Sequence, residues 1–202
     1  SNRSILTVPS SHGCRPESLL VDIRTDFTLT GSQPGYSSRS KAAAPATCGV
    51  AIEVPDFAVV VPKYDVDVIS CHRTPQRAHK YAMTAEKKGY KVIIGGAGGA
   101  AHLAGVIASM TPVPVIGVPM LTSDLGGLDS LYSIVQMPGG VPVAAVGIGK
   151  AGARNAAILA VQILSTADKG LKKKIIDYKK KQADKVIQKD KNVKKILKQS
   201  KR

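Results

Sequence analysis

One short stretch of the chain brings together side chains that could bind an anion and carry a proton. Ser70, His72 and Arg73 stand between an apolar run and a predicted helix that Pro75 can begin. A hydroxyl, a guanidinium and free helix amides favour an anion at this point. An imidazole can take up and release a proton near neutral pH, so His72 is a candidate general acid and base. A histidine that merely caps the helix fits the spacing equally well, and both interpretations stay open at this point.

A second stretch, residues 95–102, is almost free of side chains. Gly96, Ala97 and Gly98 would let a ligand lie directly against backbone amides, as in loops that hold phosphates, carboxylates or planar rings. Residues 96–101 also match the dinucleotide pattern G-x-G-x-x-A, and residues 147–152 match G-x-G-x-x-G. Neither match is followed by the acid that this motif needs about 20 residues later at the end of a strand. A nicotinamide-dependent enzyme is therefore only a minor alternative.

Polar residues also interrupt an apolar helical pattern further along the chain. Asp129, Ser130, Ser133 and Gln136 would be buried there and would need hydrogen-bond partners. They either tie loops together or face a site, and we favour the role in tying loops.

The elements that must position these residues alternate between strand and helix from residue 64 onward. The predicted strands cover residues 64–70, 91–95, 113–117 and 141–147, and the predicted helices cover residues 75–89, 101–109, 125–136 and 151–165. Right-handed crossovers would place the strand-to-helix loops at one edge of a parallel sheet, where such sheets bind ligands. The pattern predicts an α/β fold, and residues 70–74, 95–102, 118–124 and 149–155 would meet at that edge.

Basic charge is concentrated near the C-terminus. Residues 165–202 hold 15 basic and 4 acidic residues, which gives +11 of the formal net charge of +15. Apolar residues recur there at helical spacing, so residues 166–202 are predicted to form an amphipathic helical tail with one break. A solvated face beside a buried stripe, or packing on a neighbouring subunit, explains this pattern. Nucleic-acid binding is an alternative that the absence of interleaved aromatic residues disfavours.

The remaining composition limits compartment and domain organisation. Three cysteines, without metal-ligand spacing, fit a reducing compartment, and no run of apolar residues is long enough to cross a membrane. Residues 1–50 are rich in Ser, Pro and Gly and are predicted to be an irregular, disordered or non-native leader, or else a transit peptide. We therefore expect a cytoplasmic protein, or a plastid protein if the leader is a transit peptide, with an α/β domain at residues 51–165.

Five motifs between residue 64 and the end of the chain resemble those of the N5-carboxyaminoimidazole ribonucleotide mutases of purine synthesis. In chain order they are Ser70-x-His72-Arg73-Thr74-Pro75, Gly-Ala-Gly-Gly-Ala-Ala-His-Leu at residues 96–103, Gly-Leu-Asp-Ser-Leu at residues 127–131, Gln-Met-Pro at residues 136–138 and Gly-x-x-Asn-Ala-Ala at residues 152–157. The His-Arg-Thr-Pro wording resembles the microbial and plant enzymes rather than the animal-type carboxylases, where Lys-Gly-Pro would be expected.

The resemblance implies a fold, an activity and a set of site residues. The fold would be a three-layer α/β sandwich with a parallel, flavodoxin-like or Rossmann-like sheet, assembled as a homo-octamer in which C-terminal helices reach across neighbours. The activity would convert N5-carboxyaminoimidazole ribonucleotide to 4-carboxy-5-aminoimidazole ribonucleotide without a metal or an organic cofactor. His72 would be the general acid and base. Substrate would be bound by Ser70, Arg73, Gly96, Ala97, Gly98 and His102.

The sequence also departs from the family pattern. The family's first strand should be followed by a Gly-Ser-x-Ser-Asp loop, but Gly31-Ser32-Gln33 is followed by Pro34 and Gly35. Residues 49–54 could imitate the first strand, yet they lie too close to residue 64 for a parallel crossover. Cys71 and Ala104 stand where the family usually has Ala and Pro. A direct carboxylase that uses CO2, or an impaired relative that only binds the ribonucleotide, therefore remain alternatives.

Overall fold

The computed structural model describes residues 19–24 and 63–200 of the chain. The elements follow one another as β1 (Leu19–Arg24), β2 (Lys63–Val68), α1 (Pro75–Thr84), β3 (Tyr90–Ala97), α2 (Leu103–Ala108), β4 (Val115–Pro119), α3 (Leu128–Val135), β5 (Ala144–Ala145), α4 (Gly149–Ser165) and α5 (Lys169–Gln199). This alternation confirms the predicted α/β class.

The strands of the described residues form one sheet in the order β2-β1-β3-β4-β5. β3, β4 and β5 are parallel neighbours, whereas β1 is antiparallel to both β2 and β3. Because β2 and β3 both oppose β1, they run in the same direction. The carboxyl ends of β2, β3, β4 and β5 therefore lie at one edge of the sheet, as the sequence predicted for their loops.

β1 is the strand that the sequence analysis did not predict. Its residues fall within the supposed irregular leader, yet Leu19–Arg24 pairs along its whole length with β2 and β3. The segment Leu-Leu-Val-Asp-Ile-Arg contains apolar and β-branched residues that favour strands, but it is short and stands between Ser- and Thr-rich stretches. The rest of the leader, including residues 31–35 and 49–54, lies outside the described residues.

Both faces of the central strands are buried. Ile93, Ala97 and Val115 belong to one apolar cluster with residues of α1 and α2. Val92 and Ile94 point to the opposite face, because successive strand side chains alternate, and they are buried as well. Burial on both faces is what a sheet covered by helices on each side requires, in agreement with the predicted three-layer arrangement.

Several predicted boundaries shift in the structure. α1 ends at Thr84 rather than at residue 89, and a turn in which Tyr90 N donates to Ala85 O at 3.1 Å leads into β3. Gly89 accommodates this turn with a φ of +82°. β5 contains only two residues instead of the predicted seven, and nearby Pro142 has no N–H to extend its pairing.

The chain divides into two compact units, residues 1–160 and 161–202. The second unit contains the end of α4 and all of α5, which begins where the Asp168 side chain accepts a hydrogen bond from Leu171 N at 2.9 Å. α5 is continuous, so the predicted break is wrong. Leu171 and Ile175 are buried, and most later residues of α5 are exposed. No helix of the described ranges is long and apolar enough to cross a membrane.

Candidate active site

The loop between β2 and α1 is a tight turn built by its own hydroxyl groups. Ser70 Oγ accepts a hydrogen bond from Arg73 N at 3.1 Å, and Ser70 O accepts bonds from Thr74 N and Thr74 Oγ1, both at 2.8 Å. Thr74 holds the N-cap position of α1, but its side chain makes no cap hydrogen bond to the helix. The hydroxyl instead shapes the loop that leaves His72 and Arg73 exposed.

Cys71 anchors this loop to the apolar core. It is half-buried and packs against the cluster that contains Tyr81 and Leu103. Burial raises the pKa of the Cys71 thiol, although hydrogen bonds from the Cys71 and His72 amides act in the opposite direction. The thiol therefore remains protonated near neutral pH and packs as a small apolar group beside His72.

The glycine-rich loop lies at the end of the neighbouring parallel strand. Gly96 and Ala97 are the last residues of β3, and Gly96 pairs with Val118 of β4. Ala97 is buried, and its carbonyl accepts a hydrogen bond from Met120 N at 2.9 Å. Gly98 is half-buried at the start of the loop that leads to α2. The three residues carry no side chain larger than a methyl group and together form a glycine shelf at the sheet edge.

His72 and His102 meet across the end of β1. β2 and β3 are two strand positions apart, which corresponds to roughly 10 Å. Their loops nevertheless bring His72 Nε2 within 2.9 Å of His102 Nδ1, with ring centroids 5.0 Å apart and the ring planes at 85°. A hydrogen bond at this contact needs one protonated and one unprotonated nitrogen. The two rings therefore cannot both be fully protonated while the contact is kept.

A polar network beneath the site connects α3 with two loops. Asp129 Oδ1 accepts hydrogen bonds from Thr122 Oγ1 at 2.9 Å and from Ser130 N at 2.8 Å. Burial acts to raise the pKa of the Asp129 carboxyl, but the hydrogen bonds from Thr122 and Ser130 outweigh it, so the pKa is lowered from its usual value. The predicted loop-tying role is confirmed for Asp129, Ser130 and Ser133. Gln136 is exposed, so the prediction that its side chain is buried is wrong.

Thr122 is the part of this network that the sequence analysis missed. Its hydroxyl also accepts a hydrogen bond from Gly127 N at 3.0 Å, so it holds the loop after β4 closed. The Thr-Ser-Asp run between a strand and two glycines is the kind of signal that marks a hydrogen-bonded loop. This signal does not, however, predict that Thr122 also bonds to Asp129 in the following helix.

The second glycine motif, residues 147–152, has a packing explanation. A Cβ on Gly152 would overlap the carbonyl oxygen of Gly147, so the first turn of α4 requires glycine there. Gly149 begins the helix with a φ of +72°. In the described part of the chain, no group of three His, Cys, Asp or Glu side chains is placed to hold a metal ion.

Comparison with known proteins gives one consistent result. A family model described as AIR carboxylase matches residues 39–185. N5-carboxyaminoimidazole ribonucleotide mutase of Escherichia coli K12 is 53% identical over 143 residues, which cover 71% of this chain and 83% of that protein. The proteins of the same name from Pyrococcus abyssi and Bacillus subtilis are each 60% identical, over 116 and 112 residues. These matches cover 57% and 55% of this chain, and 66% and 69% of the relatives.

Proposed function

Since the chain belongs to the AIR carboxylase family, we propose that it is an N5-carboxyaminoimidazole ribonucleotide mutase of purine biosynthesis. It moves a carboxyl group from the exocyclic nitrogen of the substrate to carbon 4 of the imidazole ring. The observation that carries the proposal is the 2.9 Å contact between His72 and His102 beside the glycine shelf.

A single proton carrier can serve both halves of this reaction. The bond between nitrogen and the carboxyl group breaks, the electron pair stays on nitrogen, and protonated His72 donates a proton there. The released CO2 then bonds to carbon 4, and His72 removes the ring proton from that carbon. The proton count is thereby restored. Because the substrate and product are isomers with no net change in oxidation state, the reaction needs no external oxidant or reductant. In line with the family resemblance, the proposal includes neither a metal nor an organic cofactor.

His102 completes the pair in this mechanism. Its Nδ1 lies against His72 Nε2, so it can orient the imidazole of His72 and exchange the shared proton with it. As both rings are exposed at the sheet edge, a ribonucleotide can reach them. We place the transferred carboxyl group beside His102.

The other predicted residues supply binding. Arg73 stands with Ser70 in the turn that precedes α1, where the helix amides add positive potential for the 5′-phosphate. The glycine shelf of Gly96, Ala97 and Gly98 carries no side chain larger than a methyl group, so the imidazole ring and its carboxylate can lie against the backbone. These assignments are part of the proposal and follow from the position of both loops at the same edge.

The assembled form is also part of the proposal. We propose a homo-octamer in which the C-terminal tail packs on a neighbouring subunit. This use would explain why α5 carries exposed apolar residues such as Val186, Val193 and Leu197 among its lysines. The lysines would then form the solvated side of the helix.

A second candidate function has one observation in its favour. β1 runs antiparallel where the family resemblance implies a parallel strand followed by a phosphate-binding loop. A relative that binds the ribonucleotide without converting it would fit this arrangement. Direct carboxylation of aminoimidazole ribonucleotide by CO2 is a different activity and can be measured separately.

The decisive assay supplies the purified full chain with N5-carboxyaminoimidazole ribonucleotide and follows the appearance of 4-carboxy-5-aminoimidazole ribonucleotide. A parallel reaction contains aminoimidazole ribonucleotide and bicarbonate. The mutase proposal predicts rapid conversion in the first reaction and slow or no product in the second. Binding of the substrate without conversion would establish the non-catalytic relative instead.

A further inference from the structure

Both backbone polar groups of Gly99 are bonded by side chains of α3. Gly99 N donates a hydrogen bond to Ser130 Oγ at 3.0 Å. Ser133 Oγ lies 3.4 Å from Gly99 O, although its shorter bond, at 2.7 Å, is to Asp129 O within the helix. The stronger of the two attachments is therefore the one to Ser130. A helix some 30 residues later in the chain holds the glycine-rich loop at this point.

Ser130 is well suited to hold a loop in one position. Its side chain is fully buried. Among the polar and charged residues that the structure describes, Ser130 alone is buried. A buried hydroxyl that accepts a hydrogen bond from a backbone amide is costly to remove, because the amide is left without a partner. Ser130 is itself fixed, since its amide donates to Asp129 Oδ1 at 2.8 Å and the same oxygen binds Thr122.

The backbone of the loop matches this attachment. Gly99 has a φ of +67°, a conformation that favours glycine, and its missing Cβ would lie 4.0 Å from Asp129 Oδ2. The loop thus turns sharply at the residue that Ser130 holds. A displacement of Gly99 would therefore also move the loop residues that follow it.

Three residues after Gly99 comes His102. Its amide donates to Ala100 O at 2.8 Å, and its carbonyl accepts a bond from Val106 N at 2.9 Å as α2 begins. No side-chain hydrogen bond caps the helix at His102, so its ring is available for the 2.9 Å contact with His72. Ser130 is therefore connected to the His102 ring by one hydrogen bond, to Gly99, and by the short loop from Gly99 to His102.

We propose that Ser130 is a positioning residue that, through its hydrogen bond to Gly99, sets the distance between the His102 and His72 rings. Its relevance to catalysis rests on the proposed mutase function. Ser130 touches neither substrate nor reacting atoms and acts only through the loop. A displacement of a catalytic group by about 1 Å can lower a rate by roughly 100-fold, so loss of the attachment reduces turnover more than substrate binding.

The test compares Ser130→Ala with Ser109→Ala. Ser109 is exposed at the end of α2, and its hydroxyl donates a hydrogen bond to the carbonyl of Val106 in the same helix, so it controls for the loss of a serine hydroxyl. Two readouts are measured on the full chain. One is amide hydrogen exchange in residues 99–102, and the other is kcat and KM for the conversion.

The expected result is faster exchange at residues 99–102 in Ser130→Ala, with kcat reduced by roughly 10- to 100-fold and KM changed by less than about 3-fold. Ser109→Ala should match the wild type in both readouts. Unchanged exchange in this loop, or an unchanged kcat for folded Ser130→Ala, would overturn the proposal. A lower unfolding midpoint with unchanged kcat would mean that Ser130 only stabilises the fold.

A second variant keeps the test decisive. Should Ser130→Ala fold poorly, Ser133→Ala removes the weaker bond to Gly99, and it should give a smaller change in the same direction in both readouts. No change in either readout for Ser133→Ala would then count against the proposal. If the wild-type chain converts no substrate, the proposed function fails, while hydrogen exchange still decides whether Ser130 holds the loop.

Discussion

Asp129 shows at the scale of a single residue how the site is kept in place. Its carboxylate accepts a hydrogen bond from the hydroxyl of Thr122, in the loop after β4, and another from the amide of Ser130 in its own helix. The carboxylate has no direct contact with either histidine in the described structure. Its lowered pKa reports these hydrogen bonds to the ionised form and so gives a way to measure them.

Replacing Asp129 with Asn should destabilise the protein in a pH-dependent way. A carboxyl whose pKa is lowered on folding contributes stability above its usual value of 3.8, and this contribution is lost as the pH falls through the lower folded value. Asp129→Asn should therefore lower the urea midpoint at pH 7. The difference from the wild type should shrink as the pH is reduced below about 4.

Asp124→Asn provides the matched control. Asp124 lies in the loop before α3, is exposed, and receives a hydrogen bond from the hydroxyl of Ser123 at 3.2 Å. Its replacement should change the midpoint little at either pH. A pH-independent gap for Asp129→Asn would show that the ionised carboxylate is not what these hydrogen bonds stabilise.

The residue types in the sequence predicted the chemistry of the site, but they did not predict which residues contact one another. His72, Arg73 and the glycine shelf could be selected because their chemistry and their position after strands were visible in the sequence. The hydrogen-bond partners of Ser130 and Thr122 could not be predicted, because they depend on which strands become neighbours. Thr74 shows the same limit, since a hydroxyl before a helix can bond the helix or the preceding turn.

At the scale of elements, the main departure from expectation is β1. Helices and strands from residue 63 onward could be predicted because their apolar periodicity is clear, although their ends moved by several residues. β1 could not, because six residues of strand-forming type carry little information about pairing. Its antiparallel pairing between β2 and β3 was also not expected, since a parallel strand with its own helix belongs at the start of such folds.

The junction between β5 and α4 depends on Gly152 for its packing. Gly152→Ala should lower the free energy of unfolding by about 1–3 kcal/mol, because its Cβ would overlap a backbone carbonyl that cannot move aside as a side chain could. Gly139→Ala is the control, since a Cβ there meets nothing within 4 Å. Chemical denaturation measures both. Equal stability of the two variants would refute the packing explanation.

At the scale of the whole molecule, the basic charge and the chemistry occupy different parts of the chain. Residues 165–202 carry +11 of the net charge of +15, whereas the histidine pair and the glycine shelf lie within residues 72–102. The charge alone would have favoured a nucleic-acid partner. Its segregation onto one amphipathic helix favours a structural use instead.

The apolar stripe of α5, which includes Val186, Val193 and Leu197, can be tested as a subunit contact by introducing charged residues. Val193 and Leu197 lie four residues apart on one face and are both more than half exposed, so Asp at these positions should not unfold a subunit. In the proposed octamer, Val193→Asp combined with Leu197→Asp should reduce the assembled mass measured by light scattering. Ile187→Asp, at an exposed position off this stripe, should leave the mass unchanged. An unchanged mass for the double variant would remove α5 from the subunit interface.

The imidazole of His72 is the central group of the proposed mechanism, and replacing it with Asn tests its role directly. His79→Asn, exposed on α1, is the matched control. Conversion and substrate affinity are measured for both variants. We predict that His72→Asn binds the ribonucleotide within a few-fold of wild type but converts it at least about 100-fold more slowly, whereas His79→Asn keeps the wild-type rate. Conversion by His72→Asn at the rate of His79→Asn would contradict the account.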